Sequence, residues 1–212
     1  TIQGAYTMTR ADTYTGTLFT VNSGASLTLS GGVVIDGGNE WTFLNEKYFE
    51  DLNSGKAVSN NTVSYTSYES GAPVATATMI VANGDVTLNF ATIQNNAGSG
   101  VFAIKSGATL SLTNAIIQKI TKNGSSCFAD VDSGCKVIIN SGTEIRYCHN
   151  HGGNGTLSYM RGKSIMNGGK IHHNSGVDNN GSVFMLYGSG ASFIMKDGEI
   201  YNNHALKGTY NG

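Results

Sequence analysis

Proline, charge and cysteine are all scarce in this sequence of 212 residues, which has one proline, three cysteines and charged side chains at 13% of its positions. An odd number of cysteines argues against a disulfide framework, although one bridge beside a free thiol would be compatible with it. The 13 basic and 14 acidic residues include no run of lysine or arginine, so neither nucleic acid nor anionic lipid is an expected partner. No apolar run approaches the roughly 18 residues of a membrane span, and we expect no membrane insertion.

Strong helix formers do not dominate the sequence, whereas glycine and β-branched residues are abundant. With 29 glycines the chain is poorly suited to helices and well suited to short strands joined by tight turns. No proline-rich or serine-rich linker divides it. We therefore expect a single domain over residues 1–212, with one insertion at about residues 39–77.

Two landmarks recur along the chain. The first is a glycine turn followed by alternating apolar residues, as in Ser23-Gly24-Ala25 before Leu27 and again in Ser106-Gly107-Ala108 before Leu110. The second is an isoleucine about ten residues beyond each glycine, with successive gaps of 58, 24, 28, 26 and 29 residues. These isoleucines are Ile35, Ile93, Ile117, Ile145, Ile171 and Ile200.

A period in the twenties with several strand-length alternations and no helical segment predicts a parallel β-helix, in which each coil of chain stacks on the one before. A leucine-rich repeat is the competing architecture, but its fixed leucine and asparagine positions and its helical half are not visible. We expect an all-β, right-handed parallel β-helix (solenoid) of about six to seven coils with one inserted loop. At about 4.8 Å per coil, six coils make a rod roughly 30 Å long.

The period-2 alternation also predicts which side chains point into the solenoid. Phe19 and Val21 should stack beneath Phe102 and Ile104, followed by Ala129 and Val131. The residues expected to be buried are Val21, Ile104, Val131, Leu29, Leu112 and Ile139.

The position three residues after each isoleucine predicts a partial asparagine ladder. It holds Asn96, Asn174 and Asn203 in three coils, and Gly38, Ile120 and Cys148 in the others. Stacked asparagines hydrogen-bond along the axis and satisfy backbone groups of the turns, so their expected role is structural.

The three cysteines are expected to be structural or incidental thiols. Cys135 takes the place of Ala25 and Ala108 in the alignment, which predicts a small buried residue. Cys127 and Cys148 have no partner at a fixed spacing.

The repeat strings resemble those of a known superfamily. Residues 91–97 (ATIQNNA), 169–175 (GKIHHNS) and 198–204 (GEIYNNH) are similar to repeats of pectin-lyase-like β-helices, most of all those in large surface proteins of Gram-positive gut bacteria. The resemblance covers most of the chain from Leu18 onward. Catalytic members, the pectate lyases and polygalacturonases, carry Asp, Arg and His constellations on the outer face of one sheet. No such constellation can be placed in this sequence.

Asp130 and Asp132 are the best carboxylate pair for catalysis. Both should point outward from one strand, with carboxyl groups roughly 6 to 7 Å apart, which overlaps the spacing used by glycoside hydrolases. Any Asp-x-Asp strand gives that distance, and Lys105 should lie beside Asp132 on the next coil. A solvated cross-strand charge pair is the preferred interpretation, and two carboxylates do not make a calcium cage.

All five histidines lie in the last third of the chain, and the isoleucine alignment gives His149 and His204 the same offset two coils apart. His172 and His173 should lie near the same edge between them, and His151 is the fifth histidine of this part of the chain. Zinc needs three or four ligands held around one point with acidic partners behind them, and no such partner is evident. We predict exposed polar turns and no metal site.

Between Asn39 and Ala77 the repeat disappears. This stretch holds the only tryptophan and the only proline, and its five acidic residues against two lysines give it a net charge of -3. Long insertions in rigid solenoids often carry binding functions. The equally weighted alternative is that the aromatic residues pack over the flank or an end of the solenoid, or complete one irregular coil. The candidate binding residues are Trp41, Tyr48, Phe49, Tyr65 and Tyr68.

The expected function is that of a non-catalytic, adhesin-like β-helix module of an exported bacterial surface protein. It would be extracellular, at the bacterial cell surface, and would present a binding surface to host glycan or host protein, immunoglobulin included, without a catalytic residue, metal or cofactor. One alternative is a polysaccharide lyase or glycoside hydrolase of the same superfamily with Asp130 and Asp132 in its cleft. Another is a phage tailspike segment, whose trimer would need a long exposed apolar face.

Overall fold

The computed structural model describes residues 1–38, 76–180 and 183–206, which form an all-β solenoid of about six coils and contain no helix. Every strand pair is parallel. The strands are β1 Ile2–Gln3, β2 Thr7–Thr9, β3 Phe19–Val21, β4 Ser26–Ser30, β5 Val34–Asp36, β6 Ile80–Ala82, β7 Asp85–Asn89, β8 Thr92–Gly98, β9 Phe102–Ile104, β10 Thr109–Thr113, β11 Ile116–Asn123, β12 Ala129–Val131, β13 Lys136–Ile139, β14 Glu144–Arg146, β15 His149–Asn154, β16 Ser158–Met160, β17 Lys163–His172, β18 Ser175–Asn180, β19 Phe184–Leu186, β20 Ser192–Tyr201 and β21 His204–Leu206.

Each coil begins with a three-residue strand, and these strands form a six-stranded sheet in the order β19-β16-β12-β9-β6-β3, which we call the first face. The strands β4, β7, β10 and β13 and the first half of β17 and β20 form the second face. The strands β5, β8, β11 and β14 and the second half of β17 and β20 form the third face. Coils 1 to 6 start at β3, β6, β9, β12, β16 and β19, and β1 and β2 make a partial coil before them.

The predicted columns are confirmed by the strand register. Phe19 pairs with Ile80, Ile80 with Phe102 and Phe102 with Ala129, so coil 2 supplies a layer that the predicted order of stacking had omitted. Because side chains alternate along each strand, one set from every face fills a continuous apolar interior. All six residues predicted to be buried are buried: Val21, Leu29, Ile104, Leu112, Val131 and Ile139.

The doubled gap between Ile35 and Ile93 separates two adjacent coils. Ile35 is the direct parallel partner of Ile93, and Val21 is the direct partner of Ala82. Coil 2 is therefore hydrogen-bonded directly to coil 1, and the longer spacing between Ile35 and Ile93 does not correspond to a further coil between them. Residues 39–75 lie outside the described part of the chain.

The turn between the first and second faces has two lengths. It has four residues, 22–25, in coil 1 and two residues, 83–84, in coil 2. Gly24 adopts a φ of +78° with open space around it, the left-handed conformation for which glycine is favoured. A Cβ on Gly84 would instead lie 2.5 Å from the carbonyl oxygen of Asn22, so the short turn nests against the long turn of the neighbouring coil.

The asparagine ladder is confirmed where two asparagines are adjacent. Asn174 is fully buried, and its Nδ2 donates to the carbonyl oxygens of Ile145 and His172 at 2.9 and 3.0 Å. The amide of Cys148 donates to Asn174 Oδ1 at 2.9 Å. Asn203 repeats the pattern one coil later, with Nδ2 donating to Ile171 O at 2.9 Å. The ladder therefore satisfies backbone groups at a corner of the solenoid, as predicted.

All three cysteines are buried and free. The Cys127 thiol donates to the carbonyl oxygen of Thr156 at 3.0 Å, and its burial, together with the neighbouring Cys148 thiol, raises the pKa of Cys127. Burial also raises the pKa of Cys135. A raised pKa keeps a thiol protonated and unreactive, which supports the structural role predicted for these residues.

The solenoid also includes the first ten residues, which the repeat pattern had not covered. The strand β1 pairs with β4, and β2 pairs with β5. The Arg10 side chain is buried, and its guanidinium donates to Gly16 O at 2.6 Å and to Asn96 Oδ1, in coil 2, at 3.1 Å. Coil 1 has Gly38 at the ladder position, so it places no side chain there.

Candidate functional site

A groove of about 290 Å³ runs along the edge of the third face across coils 4 to 6. The strand register places three charged residues of its lining in one row, because Glu144 pairs with Lys170 and Lys170 with Glu199. Since these three residues neighbour the inward isoleucines, their side chains point outward. The residues that line the groove are Gly142, Thr143, Glu144, Gly169, Lys170, Asp197, Gly198 and Glu199.

Glycines leave the edge of this groove without side chains. Gly169 and Gly198 adopt φ values of +88° and +104°, and a Cβ on Gly198 would lie 2.7 Å from Gly169 O. The close approach of successive coils therefore requires glycine at these two positions. The consequence is a strip of partly exposed backbone beside the charged row.

The charges in the groove are mostly paired. Lys170 Nζ lies 3.4 Å from Glu199 Oε2, and Arg146 Nη1 donates to Glu144 Oε2 at 2.7 Å. Asp197 Oδ1 accepts a hydrogen bond from the Gly198 amide at 2.7 Å. No ion pair of Asp197 with another described residue lies within 4 Å, so Asp197 brings a negative charge to the groove that no described cation neutralises.

An aromatic and imidazole cluster lies next to the groove. His172 and Tyr201 are strand partners, and their rings stack with centroids 4.9 Å apart and an interplanar angle of 0°. His172 Nδ1 lies 2.7 Å from His173 Nδ1, so one of these nitrogens donates and the other accepts. Burial, followed by the neighbouring His173, lowers the pKa of His172. Two neutral imidazoles at neutral pH are consistent with that contact.

The predicted histidine column is confirmed. His149 pairs with Ser175 and Ser175 with His204, so the two histidines share one column two coils apart. His149 is buried, and its Nδ1 lies 2.7 Å from Ser175 Oγ. The burial of His149 and of His172 differs from the exposed turns that we expected for the histidines. Among the described side chains, no group of three or more His, Cys, Asp or Glu is arranged to hold a metal ion.

Asp130 and Asp132 lie on the first face, and their carboxylates share one cation. Arg161 Nη2 lies 3.3 Å from Asp130 Oδ1 and also donates to Asp132 Oδ1. The predicted charge pair across neighbouring coils is present, but the cation is Arg161. The prediction of Lys105 was wrong, since Lys105 has no ion pair among the described residues. Arg161 binds both acids because it follows Met160, the register partner of Val131, and lies beside Asp132 on the other neighbouring coil.

Two tyrosines flank this ion-paired group. The Arg161 guanidinium lies 5.2 Å from the ring centroid of Tyr159, whose ring is 5.6 Å from that of Tyr187. Tyr187 is 57% exposed. With both carboxylates bonded to one arginine, the pair resembles a surface charge cluster more closely than a catalytic acid and base.

The candidate binding residues of the insertion, Trp41, Tyr48, Phe49, Tyr65 and Tyr68, lie outside the described residues, and their role stays a prediction. The groove was not predicted. Its signal in the sequence is the residue before the isoleucine, which is charged in three successive repeats as Glu144, Lys170 and Glu199.

Comparison of the chain with protein-family models, with curated proteins and with solved structures finds no significant match. Among the described residues there is no helix with the length and apolarity needed to span a bilayer.

Proposed function

We propose that this chain is a non-catalytic, adhesin-like binding module of an exported bacterial surface protein, acting outside the cell on host glycan or host protein. Its solenoid would present side surfaces, including the inserted segment, at fixed positions along a rigid rod. The resemblance of its repeats to those of pectin-lyase-like surface proteins supports the setting, and the charged and aromatic side chains of the outer faces support the binding role.

The pairing of outward carboxylates with arginines is the observation that carries this proposal. Asp130 and Asp132 share an ion pair with Arg161, and Glu144 is paired with Arg146. A polysaccharide hydrolase or lyase needs an acid and a base free to exchange protons with the substrate. Carboxylates tied to arginines with aromatic rings beside them are better suited to recognition.

The test compares binding and cleavage on the same sample of the 212-residue protein. We expect binding to at least one member of a panel of host glycans and host proteins, with no release of reducing ends or unsaturated products from a polysaccharide panel. Cleavage of any polysaccharide, whether it depends on Asp130 and Asp132 or on the groove carboxylates Glu144, Asp197 and Glu199, would overturn the proposal in favour of an enzyme. Absence of binding across both panels would overturn it as well.

A further inference from the structure

We propose that the groove of coils 4 to 6 binds a saccharide without acidic groups, either neutral or amine-bearing. This inference rests on the proposed binding function and assigns to it a site distinct from the inserted segment. The site consists of the groove lined by Glu144, Lys170, Asp197 and Glu199, together with the adjoining ring of Tyr201.

The dimensions of the groove suit a short saccharide. Its volume of about 290 Å³ is at the lower end of small-molecule sites. It extends over three coils, which separates its outer rows by roughly 10 Å along the axis. Because Gly169 and Gly198 leave the edge bare, a ligand can approach the backbone there.

The charges of the groove select against acidic sugars. Its lining contains three carboxylates and one lysine, and Glu199 already pairs with that lysine. Asp197 is left without a cation among the described residues, so a uronate or sialic acid would meet a repulsive charge. Carboxylates accept hydrogen bonds from sugar hydroxyls, and an ammonium group would form the stronger, charge-assisted bond with Asp197.

Tyr201 supplies an apolar surface beside these acceptors. Its side chain is 37% exposed, and its stacking on His172 holds the ring in one orientation. A tyrosine ring offers apolar area with a polar tip at low conformational cost, and the C–H face of a sugar ring can pack on it. The groove and the ring lie in adjacent outward rows of the same strands, since Glu199 and Tyr201 are two residues apart on β20.

The test is calorimetric titration of the full 212-residue protein with three probes: a chitosan trisaccharide, a neutral galactose oligosaccharide and a galacturonate trisaccharide. We expect the chitosan probe or the neutral probe to bind and the galacturonate probe not to bind. Asp197→Asn should weaken chitosan binding about tenfold, and Tyr201→Ser should weaken binding of any bound probe by a similar factor. The matched control variants Asp12→Asn and Tyr6→Ser, at exposed positions before coil 1, should leave both affinities unchanged.

Backbone amide shifts of the wild-type protein on titration give a second measurement that needs no variant. They should change most at Gly169, Gly198 and Tyr201. Preferred binding of galacturonate, or unchanged affinity in both groove variants, would overturn the saccharide site. If no probe binds while a host protein does, the groove assignment fails and the binding module stands, so the two proposals fail separately.

Discussion

Asn174 and Asn203 are bonded to each other twice: one oxygen, Asn203 Oδ1, accepts from Asn174 Nδ2 at 2.8 Å and from the Asn174 backbone N–H at 3.2 Å. Each of these two carboxamides thereby satisfies a backbone donor of the coil before it, Asn203 at Asn174 N and Asn174 at Cys148 N. Removing one asparagine affects two corners, since Cys148 N in turn depends on Asn174 Oδ1.

Asn174→Ala is expected to lower the free energy of unfolding by about 2 to 4 kcal/mol, because it leaves buried backbone groups without partners. Asn203→Ala should cost less, since Asn203 is only partly buried. Urea unfolding followed by circular dichroism measures both. An Asn174→Ala protein as stable as the wild type would show that the ladder contributes nothing to stability.

Two glycines of the same turn family should respond differently to alanine. Gly84→Ala places a Cβ against backbone oxygens of Ala25 and Asn22, which cannot move without separating coils 1 and 2, and should cost about 3 kcal/mol or more. Gly107→Ala meets open space and should cost only about 1 kcal/mol, for its φ of +78°. Thermal unfolding of the two variants measures this difference as the decrease in Tm. Equal decreases in Tm would contradict the close packing of the Gly84 turn against the turn of coil 1.

The double variant Asp130→Asn with Asp132→Asn should remain folded and lose no more than about 1 kcal/mol of stability. The carboxylates and Arg161 are each more than a third exposed, so their attraction is screened by water and salt. Denaturant titrations at low and high salt should show the difference from the wild type disappearing at high salt. A loss that persists in 1 M salt would show that these groups do more than form surface ion pairs.

Acidification should weaken the C-terminal coils. Burial lowers the pKa of His172, His173 and His204, with the charge of His173 adding to the effect on His172 and His204. Since the unfolded pKa is about 6.5, the unfolded chain binds more protons below that value. The contribution of these histidines to the free energy of unfolding should therefore be fully present above about pH 6.5, and it should fall as the pH drops below that value.

Unfolding free energies measured from pH 8 to pH 5 test this dependence. His172→Gln should flatten the curve, because it removes one buried imidazole. Stability that rises on acidification would contradict the sign of all three pKa shifts.

Replacing residues 39–75 with a short Gly-Ser linker should leave the solenoid folded. Coil 1 pairs directly with coil 2 through β3 with β6 and β5 with β8, so the register does not depend on the segment between them. We expect saccharide binding in the groove to survive and any binding through Trp41 or Tyr65 to disappear. Failure of the replaced protein to fold, seen by circular dichroism, would show that the insertion belongs to the core.

The fold could be predicted because each repeat carries the same local information. The alternation around Leu110 and Leu112, and an isoleucine about ten residues after the glycine, are properties of short segments. Burial of Val21 and Ile139 then follows from stacking alone.

The candidate site was harder to predict because it depends on contacts between coils. Repeat length varies from 24 to 29 residues, so the spacing alone does not reveal the short turn at Arg161-Gly162. Without that turn, Arg161 could not be predicted as the cation that faces Asp130 and Asp132. The groove requires three charged residues from separate repeats to meet at a glycine corner. The sequence of a single repeat does not indicate that these three residues line one groove.

The bond between Arg10 and Asn96 has a consequence for how the rod comes apart. In a stack whose layers contact only their neighbours, an end layer can fray alone at the cost of one interface. Arg10 lies in the partial N-terminal coil and Asn96 in coil 2, so this bond joins layers that are not adjacent. Peeling the first strands away would leave the buried Asn96 without that donor, which couples the opening of the N-terminal layer to the layers below. In the 212-residue protein, the force that releases the partial N-terminal coil should therefore exceed the force that one interface alone would require.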